Sequence, residues 1–218
     1  LCRRDPVKGV TQMDKKHIGG LQRQTDNPYL NLYEVDAIGR EGQHFPYYVA
    51  TRRKEGDLMC QTGELRADGV VVYAVCTKAQ YCIVLVRQYR YAVGAYLYEL
   101  PAGLVDPGED TETAAVREMK EETGYTLNPY RDYDDVWRRP FVQSQGMSDE
   151  CDCTVFGTVE PEAGQRALED TEEIEVVLAD KEEVQRILRE ETVTIRAAYL
   201  LMQFLQSDPE KPFAFLDF

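Results

Sequence analysis

Residues 103–125 read GLVDPGEDTETAAVREMKEETGY. Seven carboxylates crowd this stretch: Asp106, Glu109, Asp110, Glu112, Glu118, Glu121 and Glu122. Its second half reads as a helix over 111–123. Thr111 can serve as N-cap, Glu112 falls in the first turn, where the helix dipole favours an acid, and Gly124 marks the C-terminal stop. Residues three and four apart share a helix face, so Glu118, Glu121 and Glu122 project from one side. Each such like-charged pair costs about 0.2–0.5 kcal/mol even in water. A hard divalent cation removes that cost, and carboxylate and backbone oxygens are the ligands Mg²⁺ prefers. Val116 and Met119 point away from the acids, towards a sheet. Ala114 and Ala115 are small enough to let other groups approach the acidic face. Arg117 can pair with Glu109 or Glu121 and orient them. Gly103, following Pro101 and Ala102, is expected to take a backbone conformation closed to other residues and to expose a carbonyl.

Upstream, strand-like runs at 29–38 and 44–54 flank Gly39-Arg40-Glu41-Gly42, a hairpin signal. The β-branched, apolar runs 70–76 and 81–88 predict a second, more buried hairpin turning at 77–80. Residues 89–100 read as a loop feeding a short strand at 97–100, broken by Pro101 and Gly103. Downstream, 154–159 and 173–178 read as strands, and 181–189 and 192–206 as helices. The last helix presents Ile195, Ala198, Tyr199, Met202 and Leu205 at spacings of three or four, an apolar face. The apolar tail 211–218 is expected to dock on the body, and 1–25 form a polar lead-in with short strands. Strands around a central helix, with helices late, give an α+β class.

The chain has 218 residues, 43% hydrophobic and 29% charged, enough to bury a core without disulfides. No apolar run approaches the ~20 residues that span a bilayer, and the opening LCRRDPVKGV lacks the apolar stretch of a signal peptide. The expected compartment is the cytoplasm, with no membrane partner. A net charge of −14 argues against nucleic acid as partner, since the longest basic run is Arg52-Arg53-Lys54. Cys76 and Cys82 lie in apolar runs and read as buried thiols. Cys151-Asp152-Cys153 stands alone, with only His17 and His44 elsewhere, too little for a zinc site. Reduced thiols are expected.

The stretch from Gly103 resembles the Nudix box, G-x5-E-x7-R-E-U-x-E-E-x-G-U, with U a bulky aliphatic. Gly103, Glu109, Arg117, Glu118, Met119, Glu121, Glu122 and Gly124 hold its defining positions. Met119 and Tyr125 depart mildly from the two aliphatic positions, where packing rather than chemistry is at stake. Three further stretches resemble the ADP-ribose, or ADP-sugar, pyrophosphatase branch: Tyr98-Glu99-Leu100-Pro101-Ala102-Gly103 ahead of the box, Pro140 near the branch's marker proline, and Val86-Arg87-Gln88-Tyr89-Arg90.

This resemblance implies an α/β/α sandwich with a mixed sheet and an N-terminal antiparallel β subdomain. Residues 1–66 would form that subdomain, serving a homodimer, and 67–218 the catalytic domain. Glu118 and Glu122 would hold Mg²⁺, or Mn²⁺ in its place, with Glu121 and the Ala102 carbonyl assisting. Arg117 and Glu109 would be a buried ion pair holding the helix. Arg90 would contact phosphate, as would Arg52 or Arg53. Tyr29, Tyr33, Tyr47 and Tyr48 are candidates for stacking a base, and Trp137 for packing or the pocket rim. Residues 143–150, QSQGMSDE, resemble a loop of the form S-P-G-x-S/T-D/S-E, with Gln145 where proline is common, which makes Glu150 the candidate general base. The implied reaction is Mg²⁺-dependent hydrolysis of a nucleoside diphosphate sugar, ADP-ribose giving AMP and ribose 5-phosphate. The box does not read the base, so GDP-mannose, FAD, NADH and dinucleoside polyphosphates stand as alternatives. A Nudix-fold ligand sensor is the reading from another class, disfavoured because every box acid is present.

Overall fold

A computed structural model describes residues 15–78, 80–168 and 172–217. Most of the polar lead-in, Cys2 included, and Ala79 of the second expected turn lie outside the described residues. The chain divides into two units, Leu1–Asp68 with Pro140–Asp152, and Gly69–Arg139 with Cys153–Phe218. A linear division near 66 therefore misses one segment, which joins the first unit by long-range bonds. Asp68 N–H donates to the Cys151 carbonyl (2.7 Å), Cys151 N–H to Asp68 Oδ2 (3.0 Å), and Ala50 N–H to the Met147 carbonyl (2.8 Å).

In the first unit, β1 (Ile18–Arg23), β2 (Asn31–Ile38) and β3 (His44–Thr51) form an antiparallel sheet in that order. The hairpin expected around 39–42 is in full register from Asn31↔Thr51 to Ile38↔His44. Its turn uses Gly42 at φ 82, open to glycine at no steric cost. Tyr33 and Val35 alternate onto the buried face. The short helix α1 (Met59–Thr62) comes after β3.

The second unit begins with β4 (Gly69–Cys76) and β5 (Cys82–Arg90). Every residue of β4 is buried, and its run GVVVYAVC is apolar on both faces because both faces are covered. The expected hairpin pairs only at Val75↔Ile83 and Cys76↔Cys82. Beyond that the two strands take new partners. Strand β6 (Ala95–Glu99) lies along β5 from Val86↔Glu99 to Arg90↔Ala95, so part of the expected loop is strand. Strand β7 (Ala102–Leu104) pairs with the start of β4. The helix α2 (Thr111–Thr123) and β8 (Leu127–Pro129) come next. In the first unit, β9 (Phe141–Val142) pairs with the first two residues of β10 (Cys151–Val159). Strand β11 (Ile174–Ala179) and helices α3 (Lys181–Glu190) and α4 (Ile195–Gln206) complete the fold. The sheet runs β11-β5-β4-β10-β8.

Alternation along the strands separates two faces. Val71, Tyr73, Val75, Ile83 and Leu85 pack with Val184 and Ile187 of α3 and with Ala197, Leu201 and Phe204 of α4. The other face meets α2, which packs on β4, β7 and β8 through buried Ala114, Ala115 and Met119. This is the α/β/α sandwich expected. The two alanines thus lie beneath the helix and do not open its acidic face. The tail docks as expected: Phe213 and Leu216 are buried beside Tyr73, and Trp137 Nε1 donates to the Leu216 carbonyl at 3.0 Å, which assigns Trp137 to packing.

The buried face of α4 is not the expected one. Ala197, Leu201 and Phe204 are buried, while Ile195, Tyr199 and Met202 are exposed. Phe204 is fully enclosed and stacks on Tyr81 at a 4.9 Å centroid separation. Phe204→Ala is therefore expected to cost about 3–5 kcal/mol of unfolding free energy, and Met202→Ala within about 0.5 kcal/mol. Urea unfolding of the two variants checks this; equal losses would reverse the assignment of faces.

Candidate active site

In the second unit, the chain leaves β7, turns through 105–110 and enters α2. Asp110, one residue ahead of the expected cap, closes the helix start: its Oδ1 accepts from Glu112 N–H (3.0 Å) and Thr113 N–H (2.9 Å). These bonds hold its carboxyl below the usual range. Gly124 ends the helix at φ 78.

Arg117 gathers the acids around it. Its Nε and Nη2 grip Glu109 (3.1 and 2.9 Å), Nη1 donates to Glu118 (2.7 Å) and Glu121 (3.1 Å), and Nη2 also reaches the Leu104 carbonyl (3.0 Å). Both pairings foreseen for Arg117 are made at once, and Glu118 is added. The pair is half-buried rather than buried: Arg117 is 29% exposed. The bonds to Glu109, then those to Glu118 and Glu121, raise the guanidinium's pKa, while Glu109 is held below the usual carboxylate range by Arg117.

Glu118 and Glu122 face the opposite way in charge balance. Burial pushes the Glu118 carboxyl up, with Arg117 opposing. Glu122 is 3% exposed, and burial pushes it up to about 8 despite an N–H donated by Ala102 at 3.2 Å. Gly103 has ordinary backbone angles, contrary to expectation; a side chain there would overlap the Glu118 carboxylate, which is why glycine is needed. On β5, Arg90 is held by Glu99 of β6, with Nε–Oε1 2.6 Å and Nη2–Oε2 3.0 Å. Burial disfavours the Arg90 charge, but Glu99, Glu122 and Glu172 outweigh it and raise its pKa.

The structure thus brings Ala102, Glu118, Glu121, Glu122, Arg117 and Arg90 together. It adds two residues to which the sequence alone assigned no role. Glu99 sits in a stretch already singled out. Glu172 lies in the segment between β10 and β11, close enough that its charge raises Glu118, Glu122 and Arg90 alike. Its signal in Glu169-Asp170-Thr171-Glu172-Glu173 is lost among neighbouring acids.

The remaining candidates lie in the first unit. Arg53 is buried, and its donors reach Asp68 (3.2 and 2.9 Å), the Glu64 carbonyl (3.3 Å) and the Arg66 carbonyl (3.2 Å). Desolvation works against that charge, and Asp68 restores it, leaving the pKa raised. Arg53 therefore braces this unit, and Arg52 is the more exposed of the two. Arg52 Nε stands 3.6 Å from Glu150 Oε1. Asp149 accepts from Met59 N–H at 3.0 Å. Tyr29 is 80% exposed and Tyr33 is core. Tyr47 donates to the Gly146 carbonyl (2.7 Å) and Tyr48 to Glu34 (3.1 Å). The cysteines among the described residues are free thiols, as expected.

Among the described residues, no three His, Cys, Asp or Glu side chains converge as a ready metal cluster. Glu118 and Glu121 both turn to Arg117. Even so, two desolvated carboxylates beside the Ala102–Gly103 backbone form a hard-oxygen donor set that suits a divalent cation. No helix among the described residues is long and apolar enough to cross a membrane.

The family described as NUDIX domain matches residues 64–204. A Caenorhabditis elegans protein described as a nudix hydrolase is 38% identical over 124 residues, 54% of each chain, so the chain spans about half its length. A Bacillus subtilis ADP-ribose pyrophosphatase is 30% identical over 139 residues, 63% of this chain and 71% of that one. A crystal structure of an ADP compounds hydrolase superposes with a TM-score of 0.62 at 17% identity, covering 92% of this chain and 95% of that one.

A carboxyl raised in the folded state stabilises the fold while protonated, and that contribution fades as pH rises through the folded value. For Glu122 the window runs from an ordinary 4.5 to about 8. The metal-free protein is expected to lose melting temperature across this window relative to Glu122→Gln. Thermal scans in EDTA at several pH values check it; parallel curves would mean that Glu122 ionises without penalty.

Proposed function

The chain belongs to the Nudix family, and from that premise we propose that it hydrolyses the diphosphate of a nucleoside diphosphate sugar, ADP-ribose to AMP and ribose 5-phosphate, with Mg²⁺. The observation that carries this reading is the pair of desolvated carboxylates, Glu118 and Glu122, set against the Ala102–Gly103 backbone with Arg90 beside them. The similarity to an ADP-ribose pyrophosphatase supports the choice of sugar nucleotide.

Glu118 and Glu122, assisted by Glu121 and the Ala102 carbonyl, would hold Mg²⁺; when bound, it supplies positive charge to the diphosphate oxygens and lowers the pKa of a water. Arg117 fixes the orientation of Glu118 and Glu121. Arg90, aligned by Glu99, presents donors to a phosphate oxygen, a task suited to a planar guanidinium. Arg52 and Tyr29 are the substrate contacts proposed from the first unit, with Arg53 holding Asp68 and the strand end in place. The water oxygen bonds to phosphorus, the bridging P–O bond breaks, and the water's proton passes to a base. Glu172 is the base favoured here, because its charge already bears on Glu118 and Glu122. Glu150, paired with Arg52, is the second candidate.

A homodimer is proposed on the exposed apolar side chains of the three-stranded sheet and its β1–β2 connection, among them Tyr29, Leu32, Phe45 and Tyr48. The acidic balance favours a small nucleotide over nucleic acid as partner.

Two measurements test the reading. On a panel of ADP-ribose, GDP-mannose, FAD, NADH and a dinucleoside polyphosphate with Mg²⁺, ADP-ribose is expected to give the highest kcat/KM. A preference elsewhere discards the adenosine diphosphate sugar and keeps the chemistry. Loss of a general base costs roughly 10²–10⁴-fold in rate, so Glu172→Gln should fall that far in kcat with KM little changed. If Glu150→Gln carries the loss and Glu172→Gln does not, the base moves to Glu150.

A further inference from the structure

Among the described residues, two buried side-chain polar atoms have no hydrogen-bond partner: the Tyr73 hydroxyl, inside the aromatic core, and Gln88 Oε1. Gln88 is 8% exposed and lies on β5, two residues before Arg90. Side chains alternate along a strand, so both leave the sheet on the same face. Residues opposite each other in an antiparallel pair also share a face. Leu97 of β6 and Ile174 of β11 therefore flank Gln88 on either side, and both are buried and apolar. The roof is the ion pair between Arg90 and Glu99. Arg90 stands opposite Ala95 and Glu99 opposite Val86, the next rungs on this face to either side of Gln88↔Leu97, yet the two side chains meet at 2.6 Å. Their contact therefore lies above the Gln88–Leu97 rung.

A leucine or methionine would fill this place between apolar neighbours without burying a carbonyl that nothing satisfies. A carboxamide here is explained by a partner that comes into reach with the ligand. A guanidinium carries five N–H donors in a fixed plane. Arg90 gives Nε and one Nη2 hydrogen to Glu99. A phosphate gripped on the Nη1–Nη2 edge takes two more. One Nη1 hydrogen remains, and Gln88 lies beneath it. We infer that Gln88 is a positioning residue for Arg90: with a phosphate bound, its Oε1 accepts that fifth N–H and fixes the guanidinium plane. Being neutral, the carboxamide holds the cation without cancelling the charge that attracts the diphosphate. The inference rests on the reading of Arg90 as a phosphate contact. Gln88 itself is given no contact with substrate.

Gln88→Met keeps the side chain's length and removes its carbonyl. In the metal-free protein it should melt at the same temperature or up to about 2–4 °C higher, because an unsatisfied buried carbonyl is gone. Binding should move the other way. Calorimetry with ADP-ribose in EDTA is expected to give a roughly tenfold weaker Kd, the effect of one hydrogen bond to a charged group. With Mg²⁺, KM should rise by a similar factor with kcat little changed, since the contact serves ground state and transition state alike. A lower melting temperature makes Gln88 an ordinary packing residue and overturns the inference, as does unchanged binding. In an Arg90→Met background, the effect of Gln88→Met on Kd should vanish. The same loss in that background means that Gln88 acts on the ligand directly and overturns positioning through Arg90. If Arg90→Met alone binds ADP-ribose as tightly as the unaltered protein, Arg90 does not contact phosphate, and the inference fails together with that part of the proposed function. Loss in Arg90→Met without loss in Gln88→Met overturns the inference alone.

Discussion

Arg117 is the centre on which the arrangement of acids depends. One guanidinium spreads its donors over Glu109, Glu118, Glu121 and the Leu104 carbonyl, so the loop before α2, the helix itself and β7 are joined through a single planar group. Lysine could not do this, because a point charge offers no fork with which to grip Glu109 on two edges. A helix carrying Glu118, Glu121 and Glu122 within five residues would otherwise repel itself. Arg117 offsets two of the three and leaves Glu122, the most buried, without a cation of its own among the bonds it makes. The site is therefore left short of positive charge where a metal would bind.

The sheet beneath explains why these acids can be held so firmly. Strand β4 is enclosed on both faces, and it parts from β5 after two residue pairs. The gap is filled by β6 and β7, which carry Glu99 and the Ala102–Gly103 backbone. Parting strands let one short stretch of chain, 99–103, deliver a carboxylate to Arg90, an N–H to Glu122 and a bare backbone to Glu118. Backbone groups placed this way cost no reorganisation when charge develops near them.

The box was legible in the sequence because each of its residues answers a fixed geometric need at fixed spacing. Gly103 was read correctly as indispensable but for the wrong reason: the demand is for space beside Glu118, not for unusual backbone angles. The face of α4 was misread because IRAAYLLMQFLQ is apolar nearly all round, so two stripes satisfy the same period and only packing against Tyr81 and the sheet selects Phe204 over Met202. Glu172 does not stand out in the sequence because it sits in a run of acids, Glu169-Asp170-Thr171-Glu172-Glu173, and residue type alone does not say which of them bears on Glu118 and Glu122. Arg53 and Arg52 could not be separated by residue type; burial beside Asp68 separates them.

The first unit is assembled from two stretches of chain, and this split sets the order in which it can be completed during synthesis. Arg53 leaves the ribosome shortly before Asp68, its main partner. Asp149, which lies 3.9 Å from Arg53 and anchors α1 through Met59, emerges roughly eighty residues after Asp68. At roughly 5–20 residues per second, several seconds pass in which the three-stranded sheet exists without its closing segment. During that interval the edge of β3 that Met147 later meets is open to chaperones or to another nascent chain. The pace of translation therefore bears on how safely this unit is completed.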